Sequence, residues 1–160
     1  MHARRCARGR VRVSGKTFVV REFVRWGDVD PAGIIRYDAY TRFFEIAEGD
    51  FFRALGLKYR ELFARLGVGI PRRVMHIDFL SPPVLDEELE VHVYVSQMGE
   101  TSMTLNFDFY GPNRVVRAVG YLVVVCVHAD GGMLKRPWPS ELRELIRPYI
   151  QSVEDARRLE

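Results

Sequence analysis

The sequence predicts an α+β domain in which an antiparallel sheet wraps one long aromatic helix, and three observations carry that expectation. A β-type segment is followed by a single long helical period and then by four segments rich in alternating or continuous apolar residues. The connections among those four are of hairpin length, which suits antiparallel pairing. No internal repeat, low-complexity block or linker interrupts the 160 residues, so one domain is expected over residues 17–150. Residues 1–16 and 151–160 read as charged tails.

Thr17 to Trp26 is the first expected strand, with Phe18, Val19, Val20, Phe23, Val24 and Trp26 as its β-branched or aromatic residues. Gly27-Asp28-Val29-Asp30-Pro31-Ala32-Gly33 breaks regular structure. From Asp38, read as an N-cap, the period becomes helical. Tyr40, Phe43, Phe44, Ala47, Phe51, Ala54 and Leu55 make one continuous apolar face, and Gly56 stops it. A short helix is expected over Tyr59–Leu66, ending at Gly67. Val74–Phe79, Glu88–Gln97 and Met103–Phe109 alternate as strands. Val115–Val127 is apolar on both faces, as a central strand is. Gly131-Gly132 turns, and Ser140 is read as the cap of a short closing helix ending near Pro148.

Composition excludes several classes. Apolar residues are 48% and charged residues 28%, which is globular. The longest apolar run, Ala118 to Val127, is too short for a membrane span, which needs about 20 residues. The first sixteen residues are studded with Arg and hold no apolar h-region, so no signal peptide is expected. Cys6 and Cys126 make no disulfide scaffold in a chain this long, and a cytoplasmic location is expected. The net charge of +3 divides unevenly: eight basic residues and Glu22 alone as acid lie in residues 1–25, and the remainder is net acidic. A basic nucleic-acid arm is one reading of that segment, and a frayed terminus is the preferred one. The body carries no basic stripe with interleaved aromatics, so no nucleic-acid partner is expected.

Several chemical motifs fail on inspection. Ser14-Gly15-Lys16-Thr17 lacks the glycine spacing, the preceding strand and the following helix of a phosphate loop. His2, His76, His92 and His128 show no metal-ligand spacing, and no metal or organic cofactor is expected. No Gly-x-Ser-x-Gly elbow exists. Cys126 reads as a core cysteine. Two carboxylate sets remain. Glu45, Glu48 and Asp50 lie on the long helix, where surface charge is the ordinary reading, although Glu45 and Glu48 flank the aromatic stripe. Asp28 and Asp30 lie in the loop that runs into the helix, where unpaired amides and the positive dipole end can polarise a carbonyl beside a carboxylate.

The stretch from Trp26 through Tyr40, with Gly27-Asp28-Val29-Asp30-Pro31-Ala32-Gly33-Ile34 and then Tyr37, resembles the signature of hotdog-fold acyl-CoA thioesterases. The 4-hydroxybenzoyl-CoA thioesterase-like group is the nearest branch, and similarity extends through Val74–Phe79, Ser81–Val84 and Asp86–Val95. The resemblance implies a sheet wrapped around the long helix, and a homodimer or dimer of dimers. It implies hydrolysis of a short-chain or aromatic acyl-CoA. By position, Asp30 is the implied catalytic carboxylate, as nucleophile or general base. The Tyr37 amide is the implied donor to the thioester oxygen, and Gly33 allows close approach of the main chain. Trp26 and Ile34 are expected near the substrate. Glu45 matches an acidic helix position, and Asp28 is expected to shape the loop. Where that branch has an arginine pair for the nucleotide phosphates, this chain has Gly99 and Glu100. Arg72 and Arg73 are the expected substitutes, with Arg114 and Arg117 as further candidates. A non-catalytic acyl-CoA-binding module with a basic arm is the alternative, and a hydratase ranks lower for want of a paired Asp and His.

Overall fold

The computed structural model describes residues 15–158. Among the described residues are seven strands and four α-helices: β1 (Phe18–Phe23), α1 (Tyr40–Ala54), α2 (Tyr59–Ala64), β2 (Val68–Gly69), β3 (Arg72–Phe79), β4 (Glu88–Met98), β5 (Ser102–Tyr110), β6 (Val116–Val125), β7 (Val127–His128), α3 (Ser140–Ile146) and α4 (Val153–Arg157). Five strands form an antiparallel sheet in the order β1-β4-β5-β6-β3, and β2 and β7 pair separately. The expected antiparallel wrap and the interior place of β6 are both present. Register shifts between Val95 and Gln97 and between Phe109 and Tyr110 add local twist, which helps the sheet curl around α1.

The core is the interface between α1 and the concave sheet face. Phe44 packs on Phe107 with ring centroids 4.5 Å apart, and Tyr40 meets Phe109 edge-on at 5.6 Å. Phe43, Phe51 and Phe52 are fully buried on the same helix. Gly120 of β6 explains how a phenylalanine fits there, since a Cβ at that position would lie 2.7 Å from the Phe44 ring. Truncating an aromatic of this layer to Ala costs about 3–5 kcal/mol.

Four local expectations are corrected. Asp38 does not cap α1. A 3-10 turn, Tyr37–Ala39, precedes the helix, Ala39 occupies the cap position, and the Asp38 carboxylate pairs instead with Arg36 at 3.0 Å. Ser140 is the first residue of α3, after Pro139, and its hydroxyl makes no cap bond. The first strand stops at Phe23 because Trp26–Asp28 turns tightly, with the Asp28 amide bonded to the Arg25 carbonyl at 2.8 Å. The supposed C-terminal tail is packed chain. Gln151 donates from its backbone to Val95 at 3.0 Å, and α4 sets Arg157 on the buried Asp108 at 2.8 Å. At the other end, residues 1–14 lie outside the described residues, while Lys16 is held by the Pro148 carbonyl at 2.7 Å.

The edge strand β3 is the least covered part of the sheet. Met75, Ile77 and Phe79 sit on its inner face, yet Met75 and Phe79 remain about half exposed, as do the neighbouring Leu80 and Val84.

Candidate active site

The loop between β1 and α1 is a small hairpin. Val29 and Ile35 bridge in antiparallel fashion, the Asp30 amide donates to Ile34 at 3.0 Å, and the Gly33 amide donates back to Asp30 at 2.9 Å. Gly33 closes this turn at φ +78°, a conformation that a side chain would strain, and its surroundings are open. Its glycine therefore serves the turn itself. Ile34 and Ile35 are stitched to Val84 and Pro83, which fixes the hairpin against the body.

The two loop carboxylates have different environments. Asp28 is buried; its Oδ2 accepts from the Arg25 amide at 2.8 Å and its Oδ1 from Arg42 Nε at 2.9 Å, with a second Arg42 contact to Oδ2. Burial pushes its carboxyl up, but the Arg42 bond and the Arg25 amide outweigh that and hold it below the ordinary value. Asp30 is half-buried, and only its Oδ1 is engaged among the described residues, by the Ala32 amide at 2.8 Å. Asp30 Oδ2 has no described partner. Asp28 therefore holds the bend, and Asp30 presents an oxygen.

Tyr37 opens the 3-10 turn that leads into α1, so its amide is one of the donors a helix start leaves without an acceptor. Its ring is exposed, as is that of Trp26, which opens the 3-10 turn Trp26–Asp28 at the β1 end of the loop. Asp30, Gly33, Ile34 and Tyr37 thus share one hairpin and helix start, and Trp26 lies in the 3-10 turn that precedes them.

The expected phosphate cations are distributed differently. Arg72 is taken by the buried Glu48 and donates to the Tyr59 hydroxyl at 3.2 Å. Arg117 pairs with Glu87 at 2.6 Å and with Ser81 at 2.7 Å, and Arg114 lies over the Tyr110 ring. Arg73 is exposed on β3.

A chamber of about 780 Å³ runs beside α1 from Thr41 to Glu48 and is walled mainly by apolar groups, among them Phe44, Phe63, Ile70 and Met75. Its buried polar element is Glu48, which the ordinary reading of helix charge passes over. A signal for it exists in the sequence: Phe44, Glu48 and Phe52 are spaced i, i+4, i+8, so the glutamate lies within the apolar stripe. Tyr59 has no such signal. Cys126 is buried, and burial raises its thiol to about 11, as a core cysteine requires. Among the described residues no cluster of three or more His, Cys, Asp or Glu side chains could hold a metal ion, and no helix is long and apolar enough to cross a membrane.

Comparison with known proteins places these features in a class. The chain's residues 24–146 match the thioesterase-like superfamily, so the chain belongs to that family of thioester hydrolases and carries its hotdog fold. It is similar to a thioesterase superfamily structure from Jannaschia sp. CCS1, with 30% identity over 85% of this chain and 94% of that one and a TM-score of 0.78. It is also similar to the acyl-CoA thioester hydrolase YbgC of Escherichia coli, with 24% identity over 65% of this chain and 77% of that protein. A variant of 4-hydroxybenzoyl-CoA thioesterase solved with 4-hydroxybenzoyl-CoA shares the fold at a TM-score of 0.74, with 21% identity over 81% of this chain and 98% of that one.

Proposed function

We propose that this chain hydrolyses an acyl-CoA, with Asp30 as the catalytic carboxylate and the helix start at Tyr37 as the group that polarises the thioester carbonyl. The observation that carries the reading is the spare Asp30 oxygen on a hairpin leading straight into unpaired amides. An aspartate carboxylate can act either as a nucleophile or as a proton acceptor. In one route Asp30 attacks the carbonyl carbon, the C–S bond breaks, and water then hydrolyses the acyl-aspartate. In the other, Asp30 takes a proton from water, whose oxygen attacks the carbonyl. Both routes end in the free acid and the CoA thiol, and both put developing negative charge on the carbonyl oxygen beside the Tyr37 amide. Removing one such donor costs about 2.7–4 kcal/mol of barrier stabilisation. Activity on an acyl-CoA is named for the similar YbgC, which supports the choice of carrier.

The working unit is a homodimer formed through β3. That strand leaves its ladder groups and the apolar Met75 and Phe79 uncovered, a combination that an edge strand resolves by pairing. A second copy pairing antiparallel about the middle of β3 would set its Phe79 end beside Arg72. Phe79 packs against Tyr40 in a tilted arrangement with ring centroids 5.1 Å apart, at the start of α1, so this pairing carries the second copy's loop toward the chamber beside Arg72. The thioester would then lie between the loop of one copy and the chamber of the other. Of the Arg72-Arg73 pair, the exposed Arg73 is our candidate for a CoA phosphate, because Arg72 is engaged by Glu48.

The test is thiol release from a panel of aromatic and straight-chain acyl-CoAs, by the unmodified chain and by Asp30→Asn. Release by the former and its near loss in the latter, with the acyl-CoA still bound, supports the reading. Equal turnover in both overturns the assignment of Asp30.

A further inference from the structure

The hairpin that carries Asp30 is held from two sides. On the Asp28 side the anchor is Arg42. On the other side it is the segment between β3 and β4: the Ile35 amide donates to the Pro83 carbonyl at 3.0 Å, and Ile34 bridges to Val84. Residues 80–87 belong to none of the seven strands, and Pro82 and Pro83 have no N–H with which to fix the segment. Its hold comes from two residues. The Leu80 and Ser81 amides both donate to the Arg117 carbonyl at 3.0 Å, and the Val84 amide donates to Glu87 Oε2 at 3.1 Å. The side chains close the ring, because Arg117 gives Nε to Glu87 Oε1 at 2.6 Å and Nη1 to the Ser81 hydroxyl at 2.7 Å. The Glu87 side chain is only 5% exposed. Gly111 leaves room for the pair: a Cβ there would fall on Glu87 Oε1 and lie 2.6 Å from Arg117 Nε. A buried ion pair is weak evidence for stability, since an apolar pair of similar volume often does as well. What this one supplies is a fixed position for the segment behind the hairpin.

We propose that Glu87 and Arg117 are positioning residues for the hydrolysis: they fix residues 81–84 and, through them, the direction of the spare Asp30 oxygen. The inference rests on Asp30 being the catalytic carboxylate, and it adds the residues that aim it. The path is short. Arg117 is carried by the interior strand β6, and the Glu87 carbonyl accepts from the Val24 amide at 2.9 Å, just beyond β1. Pro83 and Val84 pass that position to Ile35 and Ile34. The Asp30 amide donates to the Ile34 carbonyl at 3.0 Å, so a shift of Ile34 moves Asp30 with it. A misplacement of about 1 Å at a reacting group can cost about 10²-fold in rate. Neither Glu87 nor Arg117 touches the substrate or transfers a proton in this role.

The experiment compares Gly111→Ala, Arg117→Lys and Arg157→Ala with the unmodified chain. It reads thiol release from benzoyl-CoA and hexanoyl-CoA, thermal melts, and amide hydrogen exchange. Gly111→Ala keeps both charges, and φ is −90° at that position, so the added methyl disturbs the pair alone. Arg117→Lys keeps the charge but loses the fork that serves Glu87 and Ser81 together. In both variants kcat falls by about tenfold or more, while KM moves by less than about threefold. Exchange of the Asp30, Gly33 and Ile35 amides quickens by about tenfold or more, and that of α1 and β5 does not. Arg157→Ala strips the arginine from another buried carboxylate, Asp108, and lowers the melt without changing kcat or hairpin exchange. If Gly111→Ala and Arg117→Lys behave like Arg157→Ala, the pair is structural only and the proposal is overturned. If Arg117→Lys does not fold, Gly111→Ala decides. Should neither acyl-CoA be hydrolysed, or should Asp30→Asn keep full turnover, the reading of Asp30 has failed. Hairpin exchange then still shows whether the pair holds the loop.

Discussion

Asp28 and Asp30 stand two residues apart in one bend: the first is buried with both oxygens bonded by Arg42 and the Arg25 amide, the second is half-exposed with one oxygen held by the Ala32 amide. The same contrast recurs across the sheet. On its outer face Asp108 is 1% exposed and fully engaged, receiving Arg157 at 2.8 and 2.9 Å and the Tyr94 hydroxyl at 3.1 Å. On the inner side Glu48 is equally buried but keeps an oxygen without a donor. An unmade hydrogen bond to a buried polar group costs about 1–3 kcal/mol, more for a charged one. A fully bonded carboxylate fastens one element to another, whereas Asp30, half-buried with one oxygen engaged, keeps an oxygen that a ligand can meet.

Neutralising each carboxylate in turn separates those that hold the fold from the one that serves turnover. Asp30→Asn lowers turnover by about 10²–10⁴-fold, the span typical of a lost proton-transfer group, with little change in thermal midpoint; thiol release and a melt check it. Arg157→Ala does the opposite. It leaves Asp108 buried with Tyr94 alone, so chemical denaturation records a loss of about 3 kcal/mol, while any remaining folded enzyme keeps its kcat.

Asp28→Asn is a smaller structural lesion, of about 2 kcal/mol, because Arg42 retains some solvent contact and also has Glu22 at 3.3 Å. Its pH signature is specific. The folded-state value of Asp28 is depressed, so its contribution is present above the unfolded value near 3.9 and is lost as pH falls through the folded value. Acid unfolding of Asp28→Asn is therefore shallower below about pH 4 than that of the unmodified chain, as urea midpoints against pH will show. Gly33→Ala is the mildest change, costing about 1–2 kcal/mol through its positive φ alone. Because it lies in the hairpin that aims Asp30, its effect on kcat relative to its effect on the melt reports how tightly that aim is held.

The helix α1, the alternating strands and the bend between β1 and α1 were all legible in the sequence, since each depends on local periodicity or on turn residues. The distinction between Asp28 and Asp30 was legible only through family resemblance. Arg42, the partner that makes Asp28 structural, is fourteen residues away, and nothing in the spacing announces that bond. The cap positions were misplaced for a similar reason. Asp38 had a competing partner in Arg36, and a 3-10 turn shifted the helix start. The C-terminal segment read as a tail because its charge pattern is that of a solvated helix, and its anchor, Asp108, lies 49 residues upstream. Glu48 carried a local clue in its i+4 spacing from Phe44, but its meaning depended on where Arg72 arrives.

By itself, then, the chain's order of residues determined which segments are helix or strand and which loop resembles a thioesterase signature, because those properties follow from neighbours within a turn or two. Only the tertiary structure decided which carboxylates are saturated and which retain a lone pair. That outcome depends on arginines and amides brought in from other elements, and the burial that makes an unmet oxygen matter exists only once the sheet has closed around α1.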